Sequence, residues 1–586
     1  MYKPRLFDLQ NSVDMISSFK GYENNIVIDE NAFSFTENMS SDCYPVLSPR
    51  NKRFYFSKIN GDKLHDLYTK DMVLYINNGK LYHGGKDLFD LTFPEISKER
   101  RFVSMGSKLL IFPDKVYVNT EDFSDCGSLE ARFESEVGAV CVMCKADGDL
   151  YEGYSVSSVM PKNAVNGDLW YDTSREPHAL KQYSESVDMW IDLAETYIRI
   201  NCKGIGKNFN QYDCVNFVGF RDAGFYGKHI IRDKGDDYLI ITGILEKEVI
   251  ITTTVSVSRR IPDMDFVCES GNRIWGCNSK TNEIYASKLG DPTNFNVFMG
   301  LSTDSYAASV GTDGNFTAAI SFRGYVLFFK ENCVHKIYGQ NPPYTITTSY
   351  IRGVQKSSHR SLVCLNETLY YKSPTGICAY EGGVPVCISS HLGNEHYSEA
   401  VAGACGNKYY VCMSDKERKR HLFVFDEEKN IWHREDNINI KEFTRHNCNL
   451  YFIADTGDTN QMGMIDGENP YGIFTGDFTK RYPEDDFEWC AESGLWGLSL
   501  PENKYYSNIT IRAVGEKGAK LQVYFEVDSN KVWVKQIDKT VDKTGSFTLP
   551  FITPRCDHLR IKIKGKGDIK IYSISRKVES GSELNV

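Results

Sequence analysis

No catalytic signature runs through this sequence. The HExxH, GxSxG and phosphate-loop spacings are all absent, which removes the commonest metallohydrolase, serine-hydrolase and nucleotide-hydrolysing readings. No run of about eighteen apolar residues occurs, so no membrane-spanning helix is expected. The opening MYKPRLFDLQ lacks an apolar core, so no secretory signal is expected either. Proline is scarce, at 18 of 586 residues. The 17 cysteines are an odd number and scattered, with CVMC at Cys141 and Cys144 the one close pair. A structural zinc site needs a second pair at similar spacing, and none appears. Reduced, mostly buried thiols in a chain made in a cytoplasm are the expectation. His391 and His396 lie in a glycine-containing stretch and read as loop histidines. The segment 455–468, DTGDTNQMGMIDGE, has acidic spacing loosely like a calcium loop, but Gly and Met fall at ligand positions and a hairpin turn is expected. No catalytic group, cofactor or metal ligand is assigned.

Basic stripes are missing from most of the chain. The net charge is -10, yet residues 501–586 hold sixteen Lys+Arg against ten Asp+Glu. Residues 1–500 therefore hold 52 against 68. An acidic body argues against ordinary nucleic-acid binding.

What the sequence has in abundance is aromatic residues and turn glycines: 35 Tyr, 33 Phe and 46 Gly. These favour strands and hairpins. Seven segments read as hairpins: 71–85, 108–119, 272–288, 323–339, 366–382, 408–426 and 448–466. Their turns are carried by Asn-Gly, Pro-Asp, Glu-Asn and charged loops. Within each run they recur about every forty to fifty residues, the spacing of four-stranded propeller blades. An all-β fold is expected, a β-propeller of six to eight blades.

Two segments break that rhythm. Residues 136–200 gather Trp170, Tyr171, Tyr183 and Trp190 between turns at Asn166-Gly167 and Glu176-Pro177, and read as a small inserted β domain. Beyond residue 500, YSNITIRAVG, AKLQVYFEVDSNKVWVKQI, GSFTLPFI, HLRIKIKG and DIKIYSISR read as successive strands of a C-terminal β-sandwich. The expected organisation is an extended arm over 1–50, propeller over 51–135 and 201–500, insert over 136–200 and sandwich over 501–586. Trp170, Tyr171 and Trp190 offer a glycan-stacking platform or, equally, the core of a small domain. Alternation in RIKIKGKGDIKIY puts Arg560, Lys562 and Lys564 on one strand face as a cationic stripe that would dock an acidic neighbour.

The stretch 19–33, FKGYENNIVIDENAF, followed by 37–50, ENMSSDCYPVLSPR, resembles the N-terminal segment of the tail hub or nozzle proteins of bacteriophages. Phe19, Gly21, Asn38, Leu47, Pro49 and Arg50 hold the matching places, with Tyr44 and Pro45 in the same turn. Residues 286–298, ASKLGDPTNFNVF, resemble a strand–turn element recurring in those propellers, as does 309–339 after it. The resemblance implies a non-enzymatic structural protein of the virion tail, assembled in the host cytoplasm. It implies copies arranged in a ring, contact with other tail proteins, and passage of viral DNA without sequence-specific binding. Phe19, Gly21, Asn38, Tyr44, Pro45 and Arg50 would then belong to a clamping arm. The sequence departs from that pattern in Tyr22, the insert and the basic C-terminal sandwich. A carbohydrate-binding receptor module is the alternative. A propeller glycosidase would need two carboxylates converging on one cleft.

Overall fold

The computed structural model describes residues 11–95, 99–135, 137–465, 476–499, 503–541, 543, 545–550 and 554–580. The first ten residues of the expected arm and the end of the 455–468 segment lie outside them. Four short 3-10 turns are the only helical elements among the described residues, and no helix is long and apolar enough to cross a membrane.

Seven antiparallel sheets form a propeller. Their strands span 65–92, 101–128, 266–309, 318–349, 363–387, 398–434 and 439–465, here blades 1 to 7. Each of the seven hairpins read from the sequence supplies the two middle strands of one blade. Strand Phe54–Gly61 pairs with Asn460–Ile465, so a strand from before blade 1 completes blade 7 and closes the ring. Apolar residues of each blade pack on the next. Leu74 and Leu81 meet Leu109 and Val118 between blades 1 and 2. Phe56, Met462 and Met464 meet Val73 and Tyr75 between blades 7 and 1. Alternation along each strand therefore serves two neighbours, one per sheet face.

The insert is larger than the sequence reading. The chain leaves the propeller after Leu129 and returns at Ile261, and both side chains stay in the core between blades 2 and 3. Glu130 Oε1 ties the two passages, accepting from Lys115 Nζ at 2.9 Å and Ile261 N at 3.1 Å. Between them lie an eight-stranded sheet and a four-stranded sheet. Strands such as Cys214–Val218 and Val255–Arg259 pair with each other inside the insert instead of joining a blade. Their alternation is the same as a blade strand's, so sequence pattern does not reveal the partner.

The sandwich likewise recruits more chain. One sheet takes Asn11–Ile16 beside Ile569–Ser580, Lys504–Gly515 and Gly545–Pro550. The other takes Phe33–Glu37 and Glu488–Ser493 beside Leu559–Lys566, Lys520–Val527 and Val534–Thr540. Between them Phe19, Phe33, Trp489, Trp496, Tyr506, Ile561 and Ile563 form one core. The expected arm is thus partly sandwich, and residues 488–493, read as propeller, are sandwich too.

Candidate functional site

At one end of the propeller, the starts of first strands from several blades converge on a cavity of about 510 Å³. Asp66 comes from blade 1, Glu99 and Arg100 from the approach to blade 2, Arg360 from the approach to blade 5 and Glu442 from blade 7. Arg100 Nη1 lies 3.1 Å from Asp66 and its Nε 2.8 Å from Asp114. Arg360 Nη1 lies 2.8 Å from Glu442, whose other bonds come from the backbone N–H groups of Asp66 and Leu67. His359 Nε2 lies 3.1 Å from Glu99, and Arg360 Nε 3.7 Å. The His359 ring also packs 5.6 Å from that of Phe266 in blade 3.

This network is a set of paired charges. The contact with His359 and the charges of Arg360 and Arg101 hold Glu99 well below the usual carboxylate range. Burial pushes Asp66 up, but its bonds with His65 and Arg100 outweigh it and leave the carboxyl lowered. A glycosidase acid needs the opposite, a carboxyl raised so that it carries a proton near neutrality. Burial brings His359 down to about 4, so its ring is neutral. Glu99 and Asp66 are thus held ionised, and the pairs around them tie blades 1, 2, 5 and 7 together.

The segment 19–53 forms a second constellation, where the sandwich meets blades 6 and 7. Tyr22 N donates to Trp432 O at 2.5 Å, and a Cβ on Gly21 would sit 2.0 Å from that oxygen and 2.3 Å from Ile431 Cγ2. Only glycine permits this approach. Phe19 stacks on Phe33 at 6.0 Å inside the sandwich, and Pro45 O accepts from Phe19 N. Tyr44, 40% exposed, and its neighbour Pro45 face outward. Asn38 takes a left-handed conformation, φ 55°, and donates Nδ2–H to Glu488 O at 2.9 Å. Arg50 Nε returns to Asn38 Oδ1 at 2.8 Å, and its guanidinium pairs with Glu484 and lies 4.1 Å over the Phe487 ring. Arg53 joins the cluster, 2.5 Å from Glu435 and 2.7 Å from Asp436. Phe19, Gly21, Asn38, Pro45 and Arg50 therefore meet within the molecule. Arg53, Glu435, Asp436 and Glu484 were not singled out from sequence; the pairs RNKR and HRED were visible, but nearly four hundred residues separate them.

Two expected sites are corrected. Trp170 and Tyr171 are 4% and 3% exposed. As successive strand residues they point to opposite faces. Tyr171 enters the insert's main core, and Trp170 lies beneath Trp190, ring centroids 5.5 Å apart. A stacking platform needs open ring faces, which Trp170 and Tyr171 lack; Trp190 alone of the three is half-buried. The cationic stripe is paired within its own sheet. Leu559–Lys566 runs between Glu488–Ser493 and Lys520–Val527. Lys562 lies 2.7 Å from Glu492, and Arg560 3.1 Å from Glu526. Of the three, Lys564 alone makes no ion pair with a described residue, so cross-strand neighbours neutralise most of the stripe.

None of the 17 cysteines is in a disulfide, and burial raises Cys141 to about 12 and Cys144 to about 11. No group of three or more metal-ligating side chains occurs among the described residues. The 455–460 loop is a hairpin turn, with Asp455 Oδ1 accepting from Gly457 N at 2.8 Å. His391 contributes its carbonyl to Asn24 N in the arm contact.

No protein-family model matches the chain, and no curated protein matches it. Among solved structures, an exo-β-1,3-galactanase from Phanerochaete chrysosporium is similar at 10% identity and TM-score 0.21, covering 53% of this chain and 94% of that one. Chaetomium thermophilum Raptor is similar at 9% identity and TM-score 0.28, covering 73% and 29%. The phage phi92 endosialidase is similar at 9% identity and TM-score 0.17, covering 97% and 76%.

Proposed function

We propose that this chain is a non-enzymatic structural subunit of a phage tail or tail-like particle, with several copies forming a ring around the DNA path. The observation that carries the reading is the placement of segment 19–50. The residues that hold its resemblance to tail hub and nozzle proteins, Gly21, Asn38 and Arg50, are the ones fixing sandwich to propeller. A part that bears load benefits from such rigid coupling. The propeller's own axis is braced at one end by Glu99, Arg360 and Glu442, so DNA would pass between copies. The acidic balance of residues 1–500 would repel phosphate and keep the genome from adhering. Receptor binding through the insert is the weaker reading, because Trp170 and Tyr171 are core residues. Gold-labelled antibody against the chain should decorate the tail of purified particles; label on the capsid shell or in the soluble fraction alone would refute the assignment.

A further inference from the structure

Blade 3 carries a loop whose apolar tip is exposed yet held rigidly. Phe298 is 57% exposed and Leu301 56%, with Met299 and Leu289 also exposed beside them. Beneath the tip lies Arg273, 2% exposed, whose guanidinium donates to the carbonyls of Ser287 at 2.7 Å, Asp304 at 2.5 Å and Ser302 at 2.8 Å. Asp304, 4% exposed, accepts from the backbone N–H groups of Met299 and Leu301. Two buried charges are thus committed to fixing one surface loop. Burying charge is costly, and Asp304 Oδ1 is left without a partner, while a preorganised apolar tip loses little entropy on binding. Phe, Met and Leu in a rigid projection form the kind of anchor that dominates an interface.

The rim is cationic. Lys228 donates to Asn296 Oδ1 at 2.7 Å, Arg232 reaches 4.0 Å from Met299 Sδ, and Lys288 sits 5.2 Å from the Tyr212 ring centroid. None of the three is in an ion pair among the described residues. Two such tips would repel each other, so a two-fold contact of tip with tip is disfavoured. The same rim complements an acidic surface, and residues 1–500 of this chain carry 52 Lys+Arg against 68 Asp+Glu.

We infer that the loop 297–305 is the knob by which one copy docks head-to-tail on the net-acidic body of the next. Head-to-tail contacts close into rings when the rotation permits; the inference rests on the ring reading above and names its interface. The test is sedimentation velocity of the full chain and of the double variant Phe298→Ser, Leu301→Ser, with Lys228→Glu, Arg232→Glu as a second variant. All four side chains are on the surface, and circular dichroism and thermal unfolding matching the parent would verify the fold. The parent should assemble at micromolar concentration, and each variant should need about tenfold more protein or fail to assemble. A parent that assembles and variants that assemble identically would overturn the knob while leaving the ring reading intact. A parent that stays monomeric throughout would overturn both.

Discussion

Glu99, on the approach to blade 2, lies 3.1 Å from His359 Nε2 and 3.7 Å from Arg360 Nε, on the approach to blade 5. These blades stand on nearly opposite sides of a seven-bladed ring, so the contact is a brace across its axis. Arg360 extends it to Glu442 of blade 7. A propeller held only by neighbouring blade faces gains from such a long-range tie, because it links parts that share no sheet.

Removing the brace should destabilise the propeller. Arg360→Met leaves Glu442, a buried carboxylate, without its cation, and breaking such a pair costs about 3 kcal/mol. A lowered unfolding midpoint is expected, with partial recovery when Glu442→Gln is added. Additive losses in that double-mutant cycle would show that the two residues do not act together.

Gly21→Ala should uncouple arm and blade. The new methyl would meet Trp432 O at 2.0 Å, and relieving such overpacking costs about 1–3 kcal/mol. Limited proteolysis should then cut within residues 20–30 faster than in the parent. Unchanged cleavage would mean that the arm seats elsewhere.

Acid should weaken the fold before its carboxylates titrate. Burial lowers His433 to about 3, and His335 and His359 to about 4, from an ordinary 6.5. Between 6.5 and those values the unfolded chain binds protons that the folded chain refuses, so stability falls as pH falls. By pH 5 each of these histidines should cost about 2 kcal/mol. His433 Nδ1 is buried without a partner, and His433→Leu should flatten the dependence. A parent whose unfolding temperature is constant from pH 7 to 5 would contradict this.

The seven hairpins were legible because each carries its own turn chemistry and its own alternation, from Asn78-Gly79 in blade 1 to Asp455–Asn460 in blade 7. Local signals sufficed to mark a blade. Partner choice was not legible. Phe54–Gly61 completes blade 7 and Phe33–Glu37 joins the sandwich, pairings separated by some four hundred residues and invisible to a window of ten. The same distance hid the Arg50–Glu484 and Arg53–Glu435 pairs. The stripe Arg560, Lys562, Lys564 was legible as a face, but Glu492 and Glu526 on the flanking strands, which neutralise it, were not. Trp170 and Tyr171 advertised an aromatic cluster; whether its rings faced solvent depended on packing.

The ring is the central claim, and electron microscopy of the purified full chain tests it most directly. Closed rings of several copies around an open axis, each copy showing a propeller with sandwich and insert attached, are the expected result. Single propellers at every concentration, with no ring on any particle, would contradict it.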